Sequence, residues 1–194
     1  MLSTNAVPGP PGNGAVSIGV AIALPQRVAD VVQRVRTQTG DPLAGVIPPH
    51  VTLLPPTQVP SRALPRIRHH LLVAAGHLPQ FRLRLAGTGT FRPVSKVVFL
   101  QVTEGAQNCD ELQRLINTGI LHRPLQFAYH PHVTLGHDVA EEQLDAASRQ
   151  LADFVADIEV ADFGLYRFDS DGRWRVDTLV RLGCEPRNVA RRSW

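Results

Sequence analysis

The sequence predicts an α+β protein built from one structural unit used twice, and three observations carry that prediction. The tetrapeptide His50-Val51-Thr52-Leu53 returns 82 residues later as His132-Val133-Thr134-Leu135. The segments around each copy follow in the same order, strand, helix, motif strand, helix, strand, each shifted by about eighty residues. Both copies sit in short, β-branched, apolar runs, so in a strand of period 2 the His and Thr project from one face and the Val and Leu from the other. Such a duplication predicts a bilobal α+β fold, two sheets related by a pseudo-twofold axis, with one motif facing the other across it.

Composition sets the outer limits. With 194 residues, 43% of them apolar and 19% charged, the chain can bury a sizeable core as one full domain or two small lobes. A net charge of +3 favours an anionic substrate over a cationic one and is too small by itself to signal nucleic acid. Cys109 and Cys184 are far apart and in no metal or redox spacing, which is the pattern of a reduced cytosolic protein. There is neither a basic segment followed by an apolar signal core nor a run of roughly 18 apolar residues, so a cytoplasmic protein with no membrane partner is expected.

Taken in order, residues 1–15 are rich in Pro and Gly and read as a mobile tail. The fold is expected over residues 16–182, its lobes coming from the repeats at about 16–96 and 97–182, with a second tail at 183–194. Val16 to Ile22 alternate apolar with small residues and predict a half-buried strand. Pro25 opens a helix with Val28, Val31, Val32 and Val35 on its buried stripe and Gly40 as its stop. Pro48-Pro49 leads into the first motif strand, and Pro55-Pro56 is expected to close it after a few residues. A helix follows from about Ser61 to Gly76 on Leu64, Ile67, Leu71, Leu72 and Ala75; then Phe81, Leu83 and Leu85 alternate with Arg82 and Arg84 in a strand with one basic face.

The second unit repeats this. Val97 to Val102 predicts a strand, and Leu112, Leu115, Ile116 and Ile120 a helix stripe. After the second motif come a stripe of Leu144, Ala147, Leu151 and Phe154 and a hairpin from Ile158–Phe168 to Trp174–Leu182, turning at Ser170-Asp171-Gly172. Gly87 to Phe91 and Gly164 to Phe168 align as corresponding segments, each with Phe four residues after Gly.

The polar side chains of the motifs suit a groove better than a core, where an unpaired polar group costs about 1–3 kcal/mol. Two imidazoles facing one pocket divide acid–base work, one taking a proton from the attacking oxygen and the other giving one to the leaving oxygen. An ordinary pKa near 6.5 suits histidine to both tasks and predicts a bell-shaped pH profile near neutrality. The threonine hydroxyls, two positions along, can donate to phosphate oxygens. This chemistry requires no metal or cofactor.

Two His-x-Thr-hydrophobic motifs about eighty residues apart resemble the 2H phosphoesterase superfamily, especially its bacterial 2′-5′ RNA ligase and cyclic phosphodiesterase-like branch. The resemblance covers nearly everything from Val16 to Leu182. It implies antiparallel sheets with helices outside and a central groove holding both motifs. It also implies opening of 2′,3′-cyclic phosphates at RNA or nucleotide ends, or formation and hydrolysis of 2′-5′ linkages. His50 and His132 match the catalytic histidines and Thr52 and Thr134 the phosphate-binding hydroxyls. Where several members carry Arg, five residues after the second motif histidine, this chain has His137. A guanidinium is always charged and can bind bidentately, so the exchange bears on substrate size and affinity.

The same logic names further contacts. His137, Tyr129, Phe91 and Arg92 are candidate substrate contacts, Tyr129 as a stacking platform for a base and Arg92 as a phosphate partner. Two other readings use the same residues. One is an RNA- or nucleotide-binding protein that keeps the groove without turnover. The other is a metal-dependent hydrolase on His130, His132 and His137, although period 2 puts His137 on the opposite face or past the strand's end. No obligate protein partner is expected.

Overall fold

In the computed structural model, residues 14–168 and 173–184 are described, so the expected tails and the turn at Ser170-Asp171-Gly172 fall largely outside them. The described residues form eight strands and four α-helices: β1 (Ala15–Ala23), α1 (Gln26–Thr39), β2 (His50–Pro60), α2 (Leu64–Gly76), β3 (Phe81–Thr90), β4 (Val97–Glu104), α3 (Ala106–Ile116), β5 (His132–His137), α4 (Glu141–Gln150), β6 (Val155–Val160), β7 (Asp162–Phe168) and β8 (Trp174–Arg181). They make two antiparallel sheets of four strands, β2-β1-β7-β8 and β5-β4-β3-β6. The sheets are topological twins. Each has its motif strand at one edge, beside the first strand of the same repeat.

The lobes do not divide where the repeats do. The first sheet takes β7 and β8 from the end of the chain, and the second takes β3 from the first repeat. The segment Ile158–Phe168, expected as one arm of a hairpin, is two strands in different sheets, with the crossing at Ala161; β7 and β8 do pair as a hairpin. The helices cross over as well: α1 lies against β5 and α4, and α3 against β2 and α2. A repeat fixes the order of elements, whereas sheet membership is decided by which exchange buries both apolar faces. One continuous core results, from Ile18, Val20 and Phe163 in one sheet to Leu83, Leu100 and Val133 in the other, each at most 1% exposed.

Local chemistry explains most elements. On α1, Val28, Val32 and Val35 are buried, and Gly40 stops the helix in the left-handed region (φ 75°), where its lack of a Cβ removes the penalty. On α2, Leu72 lies off the buried stripe at 38% exposure, and Ala74 takes its place. Beyond α3, Ile120 is exposed and Leu121 buried, because the helix ends at Ile116 and a short 3-10 turn resets the phase. Pro55 and Pro56 do not end β2, which runs eleven residues; at a sheet edge their missing N–H groups cost no ladder bond. Strand β1 is buried from Ser17 to Ile22 on both faces, not half-buried; on its small-residue face Gly19 lies close to the Trp174 ring.

Candidate active site

The two motif strands, one from each sheet, lie next to each other in the middle of the molecule. Both carry a β-bulge at the same place. Thr52 pairs with Ala21 and Leu54 with Val20; Thr134 pairs with Phe99 and Gly136 with Val98; Leu53 and Leu135 are therefore the extra residues. A bulge shifts the side-chain alternation by one position. In β5 this returns His137 to the face of Thr134, correcting the expectation from unbroken alternation.

The histidines are set identically. Nδ1–H of His50 donates to the carbonyl of Pro48 at 2.7 Å, and Nδ1–H of His132 to the carbonyl of His130 at 2.8 Å. A carbonyl only accepts, so each ring carries its hydrogen on Nδ1 and keeps Nε2 for chemistry. Nε2 of His50 lies 3.1 Å from Oγ1 of Thr52, whose hydroxyl donates to it when the ring is neutral. Both imidazoles are harder to protonate than usual. Burial lowers His50 most, with the Pro48 carbonyl opposing and the Arg36 charge adding. Burial likewise pulls His132 down to about 4 against the His130 carbonyl, and a charge on His130 or His50 would lower it further.

Two cavities adjoin His50. One of ≈ 330 Å³ is lined by Arg36, Asp41, Ile47, His50, Thr134 and His137, joining groups from both sheets. The other, ≈ 500 Å³, is apolar and lined by Gly19, Ala21, Ala23, His50, Thr52, Tyr166 and Trp174. The matching flank beside His132 is filled: Phe91 and Phe99 stand 5.0 and 5.2 Å from its ring, and Phe99 occupies the place that Ala21 has opposite the other threonine. The flank beside His50 is thus open where its counterpart beside His132 holds two aromatic rings.

Register corrects one alignment. Gly164 pairs with Ala21 and Gly89 with Phe99, so Gly164 corresponds to Gly89 rather than Gly87, and Tyr166 to Phe91. The other candidates are placed as follows. Phe91 packs edge-on against His132 and His130. Tyr129 packs against the core and its hydroxyl donates to the Thr52 carbonyl at 2.8 Å, tying the approach to β5 onto β2 instead of offering a stacking face. Arg92 is held by Glu141 and Asp145 of α4 and lines neither cavity. Among the described residues no three His, Cys, Asp or Glu side chains group as metal ligands, so the His130, His132 and His137 cluster of the metal reading does not form.

Reading the sequence missed Arg36, Asp41, Tyr166 and Trp174. Arg36 had a signal, because it sits four residues after Val32 in the apolar stripe of α1, where a cation must find a buried partner. Trp174 had none, since an aromatic in a hairpin strand is ordinary core material.

Twin sheets that set two histidines, each with its hydrogen on Nδ1, and two threonines on adjoining edge strands make a candidate two-histidine site. Residues 24–179 match the model of the 2′-5′ RNA ligase superfamily, and the chain belongs to that family. A Bacillus thuringiensis protein (strain Al Hakam) named "Putative phosphoesterase" is 26% identical over 170 residues, covering 87% of this chain and 98% of that protein. Among solved structures, Escherichia coli LigT complexed with NADP+ superposes with TM-score 0.62 at 21% identity, covering 87% of this chain and 98% of LigT. TT0787 of Thermus thermophilus superposes with TM-score 0.57 at 21% identity, covering 88% of this chain and 100% of that one. These two likenesses concern the fold.

Proposed function

We propose that this chain opens 2′,3′-cyclic phosphates, or hydrolyses or forms 2′-5′ linkages, at RNA or nucleotide ends, with His50 and His132 as acid and base and no metal. The observation that carries this reading is the matched pair of Nδ1–H bonds to Pro48 and His130, which leaves both Nε2 atoms for proton transfer. Thr52 and Thr134, beside the imidazoles, donate to the phosphate as charge builds on it. Both rings are neutral near pH 7, since both are lowered. An entering phosphate anion favours the charged form of a neighbouring imidazole and so loads the proton that the acid needs. The other, neutral ring takes the proton of the attacking water.

The shape of the groove orients the substrate. The nucleoside side of the phosphate fits the open apolar cleft walled by Tyr166 and Trp174, beside His50. Water, or a 5′-hydroxyl in ligation, then attacks from the His132 side, making His132 the base and His50 the acid in ring opening, with the roles exchanged when a 2′-5′ linkage is cleaved back to the cyclic phosphate. Solved complexes of E. coli LigT with 3′-AMP, a nucleotide, support the substrate class.

The test is turnover of 2′,3′-cyclic nucleotides and of oligonucleotides ending in one, by the wild type, His50→Ala and His132→Ala. Each substitution should lower kcat by about 10²–10⁴-fold, the usual worth of a positioned acid or base. Nucleotide binding without hydrolysis in the wild type would instead make the chain a binding protein.

A further inference from the structure

We propose that the buried Arg36–Asp41 pair is the positioning device for His50, clamping the segment that leads into β2 so that the Pro48 carbonyl holds the ring in its Nδ1–H form. Arg36 is 4% exposed and Asp41 6%, and the pair lies at the end of α1 where Gly40 turns the chain back. The Arg36 fork spans the segment: Nε donates to Oδ2 of Asp41 at 2.9 Å and Nη1 to the Ile47 carbonyl at 2.6 Å. Oδ1 of Asp41 accepts from the backbone N–H of Leu43 at 2.9 Å, and Nε2 of Gln33 donates to the Ala44 carbonyl at 2.6 Å. Residues 41–47 are thus fastened by four side-chain hydrogen bonds, three of them from α1, beyond their own backbone turns. Ile47 is followed by Pro48 and Pro49, whose fixed φ transmits its position to the carbonyl that His50 uses.

Charge argues for positioning over phosphate binding. Asp41 lines the same cavity as Arg36 and neutralises it, so the pair presents no net cation to an anion. A lysine could not replace the fork, because a guanidinium donates in several fixed directions at once and an ammonium does not. The segment leading to the other histidine is built differently: the His130 ring rests against Phe91 and Phe99, and Tyr129 ties that segment to β2 through the Thr52 carbonyl. The clamp belongs to His50 alone.

Its kinetic consequence rests on the phosphoesterase reading, but its structural consequence does not, and the experiment separates them. Nitrogen-15 NMR of the imidazoles near neutral pH reads the tautomer of each histidine in the folded protein. Arg36→Met alone leaves a buried carboxylate and can fail to fold, so the working variant is Arg36→Met with Asp41→Leu, which removes both charges. In the wild type His50 and His132 both show Nδ1–H. In the double variant His50 should shift towards Nε2–H while His132 keeps its form, and kcat should fall about 10- to 100-fold with KM within about twofold, as for a misaimed catalytic group. An unchanged His50 tautomer overturns the proposal, as does a raised KM at unchanged kcat, which would make Arg36 a binding residue. A wild type with no phosphoesterase turnover defeats the reading of the previous section, and the tautomer measurement still decides the clamp.

Discussion

His132 should make the protein acid-sensitive by an amount that can be calculated. Its pKa is about 4 in the folded chain against an ordinary 6.5, so between those values the unfolded state binds the extra proton. The stability tied to this neutral imidazole is complete above about pH 6.5 and is lost as pH falls towards the folded value. At about pH 4.5 the difference corresponds to roughly 1.9 pKa units, about 2.5 kcal/mol at 1.36 kcal/mol per unit, and closer to about 2 because the ring is partly open to water. His132→Gln cannot titrate, and its amide can still donate to the His130 carbonyl. Urea unfolding of both proteins at about pH 7 and pH 4.5 cancels the losses common to all other groups. The wild type should lose about 2 kcal/mol more than the variant on acidification. Equal losses, or a greater loss in the variant, would show that burial does not depress this imidazole and would remove the account of two neutral rings near pH 7.

The same shifts move the pH profile: kcat/KM, which reports the free enzyme, should peak below about pH 6.5 rather than near neutrality, and kcat should peak at higher pH once phosphate is bound, as measured by steady-state kinetics across pH. Trp174→Ala should raise KM for cyclic nucleotides by about 5- to 150-fold, the worth of a lost stacking partner at about 1–3 kcal/mol, with kcat little changed. Gly136→Ala should destabilise the fold by about 1–3 kcal/mol in chemical denaturation, because an added Cβ would meet Cγ2 of Thr39 at 2.7 Å where α1 presses on β5.

What the sequence made legible was whatever depends on spacing and side-chain type. The 82-residue return of His-x-Thr located both motif strands, and valine spacing located α1. The edge position of β2 was not legible, so Pro55 and Pro56 looked like terminators although an edge strand accepts them. The bulges were hidden too: Leu53 and Leu135 look like ordinary apolar strand residues, yet they reverse the side of everything after them, His137 included. Likewise the open flank of the groove comes from Ala21 facing what Phe99 faces in the twin sheet, a difference visible only once the two registers are superposed. Arg36 and Asp41, five residues apart, gave no sign that their ion pair reaches the backbone ahead of a histidine.

The exchange of strands between repeats has a consequence for how the chain is made. Ile18 pairs with Arg167, and β1 finds this inner neighbour only after nearly the whole polypeptide exists. Such long-range pairing slows folding, and a nascent chain leaving the ribosome must wait with its first sheet unfinished. A fragment ending after residue 96 would carry one motif strand on an incomplete sheet, and its partner fragment would lack the strands that close it. Activity should therefore emerge late and all at once in synthesis, as a report that the last hairpin has docked.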